Sequence, residues 1–418
     1  MAKKTIIIGL DGVPFGLLKN LAETGIMPHT AKLIANGTLK KMSSSIPEIS
    51  SVAWSSIITG TNPGEHGIFG FTDFAAGTYQ LSFPNFNNLK KPPFWTKTAG
   101  KSVIINVPST YPVKEMNGIH ISGFVSIRLE KSVYPPSLLP ELKELDYRID
   151  VDSAKAHQSL DLFLTDLEQT LKSRIKTYRY LWEKEWQTFM LVFTGTDRLM
   201  HFLWNAYEDK EHQYHQDFLN HYKQIDAVIG EISDRIKGED LLIMLSDHGF
   251  ERLDKEVYIN YFLKKEGFLK LQDTNEPSWS NIDYRTKAFA LDPARIYLNL
   301  KDRYPRGSVR PEDKEKILEE LEDLFQSLKI DDKKVIRDVY RKEEIYSGPL
   351  LDKAADLILV GNKGFNLKGT IKTDKLSDKG IFTGKHSQDD AFLLTNNKID
   401  IPENPVVSDI EKIIEGER

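Results

Sequence analysis

The chain has 418 residues, 40% hydrophobic and 28% charged, the make-up of an ordinary globular protein. Its 56 basic and 61 acidic residues are finely mixed and leave a net charge of -5, without the basic block that a nucleic-acid polymer would call for. Cysteine is absent, which excludes disulfides and thiolate metal sites, so any metal has to be held by oxygen and nitrogen ligands. Nowhere do about 18 apolar residues run together, so no membrane span is expected. Thr5–Leu10 is too short for a signal-peptide core, and the expected location is the cytoplasm. Oligomeric state is left open.

The first predicted element is a buried strand at Thr5–Gly9, followed by Asp11 and Gly12. Next comes PEISSVAWSSIITGTNPGEHGIFGF, where Val52–Thr59 reads as a helix with Ser50 just before it. Strands are predicted at Ser102–Val107 and Thr188–Phe193, with a long helical pattern at Leu160–Glu183 between them. A second helical pattern, Gln216–Ile236, leads to a strand at Asp240–Leu245. The stretch Leu253–Glu344 is richer in charge, with a strand-like Arg295–Leu300 and a helix-like Pro311–Leu328. A last strand is predicted at Asp356–Val360. This alternation predicts an α/β fold, a mostly parallel sheet covered by helices on both faces. The expected division is a core of residues 1–252 and 345–418 with an inserted lid or side region at 253–344.

Four short segments concentrate Asp and His: IIIGLDG (Asp11), GTDRLMH (Asp197, His201), LLIMLSDHG (Asp247, His248) and TGKHS (His386). In an open α/β sheet the strand ends gather at the C-terminal edge, where ligands bind, so residues far apart in sequence can converge there. On a helix, Asp197 and His201 at i and i+4 share one face. Asp247 and His248 follow a buried strand directly, and Gly249 suits the turn they need. Each segment alone has a plainer reading. A strand-end Asp often caps a helix, and a helical Asp–His pair is often a surface contact. Together, three carboxylates and three imidazoles describe a site for two metal ions. Ser50 stands where a helix N-terminus would favour a phosphate group, and Ser50 or Ser51 could equally be a helix cap. His66 reads as structural, Trp54 and Trp204 as core packing, and His212, His215 and His221 as solvent-facing.

The order of these motifs, with AWSSIITGTNPGEHGI after a hydroxyl and a late GxH, resembles the type I phosphodiesterase/nucleotide pyrophosphatase family of the alkaline phosphatase superfamily. The resemblance runs from Ile6 to about Phe392. It implies an alkaline-phosphatase-like core with one divalent ion held by Asp197, His201 and His386 and a second by Asp11, Asp247 and His248. The nucleophile maps to Ser50, nine positions before Thr59, where family members usually carry threonine; it would reach toward the second ion, and Ser51 is its neighbour and competitor. Zinc suits such ligands first, with manganese or iron as alternatives. The implied substrate is a small phosphate ester, of phosphodiester or nucleotide pyrophosphate type. A phosphomonoesterase, phosphonate hydrolase or phosphomutase would use the same site, and a non-catalytic metal-binding protein is the reading from another class. Two departures stand out. Nucleotide pyrophosphatases place asparagine shortly after HGI, where this chain has Phe71, so the third oxyanion contact is unassigned. Asp390 stands where a glycine is common.

Overall fold

The computed structural model describes residues 3–272 and 276–417. They divide into two compact units, one of residues 3–61, 85–251 and 381–417, the other of 62–84, 252–272 and 276–380.

The first unit is built on an eight-stranded sheet. Its strands in chain order are β1 (Thr5–Leu10), β2 (Thr38–Met42), β3 (Ser102–Val107), β4 (Gly118–Ser122), β5 (Val133–Tyr134), β6 (Thr188–Phe193), β7 (Leu241–Leu245) and β8 (Ala391–Thr395). Across the sheet they run β2-β8-β7-β1-β6-β3-β4-β5. The five central strands β7, β1, β6, β3 and β4 are mutually parallel, while β8 and β5 pair antiparallel with their inner neighbours.

Four of these strands read as continuous apolar runs because both faces are buried. Successive side chains point to opposite faces, so each strand feeds two cores. Ile6, Ile8 and Leu10 join Phe189, Leu191, Leu242 and Met244 in one. Ile7 joins Met190, Val192, Ile243 and Leu245 in the other. The first core is roofed by helices that include Leu160–Trp182, Gly195–Glu208 and His215–Arg235, the second by Ser50–Thr59 and Ile410–Gly416.

Helix Ser50–Thr59 lies very close to β1, and Gly9 is what permits it. A Cβ on Gly9 would stand 2.4 Å from Trp54 Cη2 and 3.0 Å from Val192 Cγ2. Trp54 is fully buried and has nowhere to retreat. Gly9→Ala is therefore expected to destabilise the fold by about 1–3 kcal/mol, the usual cost of overpacking. Denaturant unfolding of the two proteins checks it, and equal midpoints would show that the ring can move.

The second unit has a four-stranded antiparallel sheet, in the order Ala288–Leu291, Arg295–Leu298, Leu357–Gly361 and Ile336–Arg341, beside helix Lys314–Ser327. The strand expected at Asp356–Val360 thus exists, shifted by one residue, but belongs to this sheet and not to the parallel one. His66 lies in this unit, fully buried, where its Nδ1 accepts the Ile68 N–H at 3.1 Å. Burial pushes its pKa down to about 3, so it is a neutral packing residue. Among the described residues, no helix is long and apolar enough to cross a membrane.

Candidate metal centre

Three neighbouring strands deliver most of the site. Asp11 follows β1, Asp247 and His248 follow β7, and β6 leads into helix Gly195–Glu208 with Asp197 in its first turn and His201 one turn on. β8 is antiparallel, so its beginning lies at the same edge, and His386 arrives there just ahead of it. The segment Gly384–Ser387 also pairs with Gly249–Arg252. This stacks the His386 and His248 rings with their centroids 3.7 Å apart. β2 ends at that edge too and leads to Ser44, whose hydroxyl donates to the Asp247 carbonyl at 2.6 Å, and then to Ser50.

The six carboxylate and imidazole residues fall into the two expected sets. Asp197, His201 and His386 form one, and Asp11, Asp247 and His248 the other, with ligand atoms within 4.8 Å of one another in each. All three imidazoles are held in the same way. Nδ1 faces a backbone carbonyl in each case: Gly384 for His201 (3.2 Å), Gly249 for His248 (3.0 Å) and Glu48 for His386 (2.9 Å). A carbonyl only accepts, so Nδ1 carries the proton and the neutral ring presents its Nε2 lone pair.

Those lone pairs converge. His201 Nε2 and His386 Nε2 are 3.0 Å apart and lie 3.4 and 3.0 Å from Asp197 Oδ1. His248 Nε2 faces Ser50 Oγ at 3.2 Å, Asp247 Oδ2 at 3.3 Å and Asp11 Oδ1 at 3.7 Å. Asp247 Oδ2 is buried and accepts no hydrogen bond. Lone pairs aimed at one another, with every outer N–H already satisfied, fit a cation in each set.

Electrostatics agree. Burial and the nearby Asp247 hold the Asp11 carboxyl well above the ordinary carboxylate range. Burial pushes Asp247 up to about 7. The same burial, with His386 beside it, lowers His248 to about 4, so its lone pair is free at neutral pH. Burial also opposes ionisation of Asp197, but His201 and His386 outweigh it and keep this carboxylate charged. A pair of buried carboxylates that resist ionising together needs positive charge between them.

Ser50 opens its helix, and neither serine caps it: the cap position is Ile49 and has no side-chain hydrogen bond. The helix also starts two residues earlier than its apolar pattern implied. Ser50 Oγ lies 3.4 Å from Asp11 Oδ1, whereas Ser51 Oγ is buried with no hydrogen-bond partner.

Sequence reasoning missed two contributors. Trp54 packs in the core as expected, yet its Nε1–H also donates to Asp11 Oδ2 at 3.2 Å, which turns Oδ1 toward Ser50. The i, i+4 spacing of Ser50 and Trp54 was the available signal. Arg198 donates to Asp197 Oδ2 at 3.3 Å, and nothing in the motif singled it out. One expectation is corrected: His221 is not solvent-facing but buried, because helix His215–Arg235 turns it toward the core with Phe218, Tyr222 and Ile225. His212 and His215 are partly exposed.

Comparison with known proteins bears on the fold and the family. The fold resembles phosphonoacetate hydrolase from Sinorhizobium meliloti 1021 in complex with phosphonoformate, with a TM-score of 0.66 and 15% identity over 100% of this chain and 96% of that one. It also resembles murine ectonucleotide pyrophosphatase / phosphodiesterase 5, an inactive variant in complex with AMP, with a TM-score of 0.58 and 12% identity over 100% and 95%. A search of the curated proteins finds no match. The sequence profile of the Type I phosphodiesterase / nucleotide pyrophosphatase family matches residues 5–389. With that match over almost the whole chain, on an alkaline-phosphatase-like fold, the protein belongs to the type I phosphodiesterase/nucleotide pyrophosphatase family of metal-dependent hydrolases.

Proposed function

We propose that the protein hydrolyses small phosphate esters, of phosphodiester or nucleotide pyrophosphate type, through a phosphoserine ester at Ser50 that keeps the substrate's second substituent on phosphorus. Asp197, His201 and His386 would hold one divalent ion and Asp11, Asp247 and His248 the other. Zinc suits this mixture of carboxylate oxygen and imidazole nitrogen first, with manganese or iron next. The observation that carries the reading is the convergence of His248 Nε2 and Asp11 Oδ1 on the Ser50 hydroxyl, at 3.2 and 3.4 Å.

When bound, two divalent ions spread the charge of the phosphoryl oxygens and ease loss of a proton from hydroxyl or water. The protein supplies the rest. Ser50 Oγ forms a bond to phosphorus as the bond to the leaving oxygen breaks, and the serine proton ends on the released alcohol or phosphate. Water then cleaves the serine ester, its oxygen going to phosphorus and a proton back to Ser50, and the phosphate monoester that kept the second substituent leaves. The opening turn of the Ser50 helix offers backbone N–H groups and the positive end of its dipole to the remaining phosphoryl oxygens. Trp54, by holding Asp11 Oδ2, keeps the other oxygen on the serine side. A cavity of about 510 Å³ lined by Phe124, Val125, Ser126, Leu129, Tyr147, Arg148, Ile149 and Asp150 would give the organic group a wall of mixed apolar and polar character. Asp150 of that wall is joined through Arg198 to Asp197.

The second reading is phosphonate hydrolysis. The likeness to phosphonoacetate hydrolase favours it, as does Phe71 in place of the asparagine of nucleotide pyrophosphatases. Assays of para-nitrophenyl phosphate, bis-para-nitrophenyl phosphate, a dinucleotide and phosphonoacetate with added zinc or manganese separate the readings. Turnover of the diester or dinucleotide supports the proposal, phosphonoacetate alone supports the second reading, and the monoester alone makes the protein a phosphatase. No turnover of any supports a metal-binding protein without catalysis. Elemental analysis is expected to find two transition-metal ions per chain, one for each ligand set, and a chelator to abolish activity. Full activity in metal-free protein would end the two-ion reading.

A further inference from the structure

We infer that Arg198 is a positioning residue that keeps Asp197 a one-oxygen ligand and thereby sets the coordination number, and the metal preference, of the ion held by Asp197, His201 and His386. This rests on the ligand assignment proposed above.

Adjacent positions on a helix point about 100° apart, so residues i and i+1 do not normally face each other. Arg198 nevertheless donates from Nη1 to Asp197 Oδ2 at 3.3 Å. It is bent back by Asp150, whose Oδ2 accepts Nη2 at 2.8 Å and Nε at 3.2 Å. The Phe124 ring covers the guanidinium, with its centroid 4.0 Å from Cζ. Asp150 is anchored in turn: its Oδ1 accepts the Thr194 hydroxyl at 3.1 Å, and that hydroxyl accepts Asn106 Nδ2 at 3.2 Å. Arg198 and Asp150 side chains are only 15% and 16% exposed, so the pair is shielded from competing water and salt.

The two oxygens of Asp197 thus have separate duties. Oδ1 faces His386 and His201 at 3.0 and 3.4 Å, and Oδ2 faces the arginine. A carboxylate whose second oxygen is engaged by a shielded guanidinium does not swing round to chelate. One oxygen and two imidazole nitrogens would hold zinc with a position left over for substrate or water, the arrangement zinc favours in catalytic sites. Released, Asp197 could offer both oxygens, and the higher coordination number would suit manganese better.

The test uses the full-length protein loaded with Co2+, whose visible absorption is intense in four-coordinate sites and weak at higher coordination. Wild-type protein is expected to show intense bands from the ion in this set. In Arg198→Met those bands should weaken, zinc should bind this set about 10-fold or more weakly, the usual cost of losing an outer partner of a ligand, and the zinc-to-manganese ratio in competition should fall. Arg198→Lys, which keeps the charge but not the fork, should fall between the two. Asp150→Asn should move the spectrum in the same direction as Arg198→Met, because it frees the arginine. If Arg198→Met does not fold, the other two variants carry the same test. Unchanged bands and an unchanged zinc-to-manganese ratio in the folded variants would overturn the proposal. Wild-type protein that takes up no Co2+ would instead overturn the ligand assignment on which it rests.

Discussion

Ser50→Ala is expected to lower kcat by at least about 10^3-fold, the scale on which losing a covalent nucleophile is felt. Fold and metal content should stay near those of the parent. The Ser50 hydroxyl makes only long contacts, 3.4 Å to Asp11 and 3.2 Å to His248, and the carboxylates and imidazoles around it are held by other groups. Trp54 and the Gly12 N–H keep Asp11 and Asp247 in place without it. Ser51→Ala is the control, and should retain most of the activity because Ser51 Oγ is buried with no hydrogen-bond partner. Steady-state kinetics and elemental analysis of both variants check this. Should Ser51→Ala be the inactive one, the register of the nucleophile is wrong by a residue.

The other large effect is expected from His386→Ala. Its Nε2 lies 3.0 Å from both Asp197 Oδ1 and His201 Nε2, so its removal takes one of three donors from one set and none from the other. One ion per chain should be lost or bound far more weakly, and the second retained. The retained set is the one beside Ser50, so formation of the phosphoserine should suffer less than its hydrolysis. The covalent species should then build up, and mass spectrometry of acid-quenched enzyme would show a phosphoryl group, with the substituent it keeps from the substrate, added to the peptide containing Ser50. Normal turnover with both ions tightly held would show that His386 is not a ligand.

Much of this site was legible because buried parallel strands announce themselves. Runs such as Thr5–Leu10 and Leu241–Leu245 cannot alternate when both faces are covered, and the Asp after each marks the edge where ligands gather. Partners were less legible. An apolar run such as Leu357–Gly361 declares a strand but not which sheet it joins, and this one lies in the antiparallel sheet of the second unit. β2 was invisible: TLKKM is lysine-rich and mostly half-buried, and it is a strand only because β8 pairs with it. His221 was misjudged for a related reason. Its neighbours Gln216, Asp217 and Asn220 are polar and exposed, but a helix turns by about 100° per residue and puts His221 on the apolar face with Phe218 and Ile225. Arg198 carried no signal at all, because its partner Asp150 lies 48 positions away.

The antiparallel course of β8 bears on how the enzyme is born. Every member of the Asp11, Asp247 and His248 set has been synthesised once position 248 is passed, whereas the other set waits for His386 and for β8 to close against β7. Chains generally fold from the N-terminal side as they leave the ribosome. A growing polypeptide would therefore own one complete ion-binding set while about two fifths of its length was still untranslated, and the second only near the end. On the proposed mechanism such a chain carries its nucleophile but lacks the group needed for full turnover. On that reading, strand order alone would keep full turnover from the nascent chain until β8 has closed.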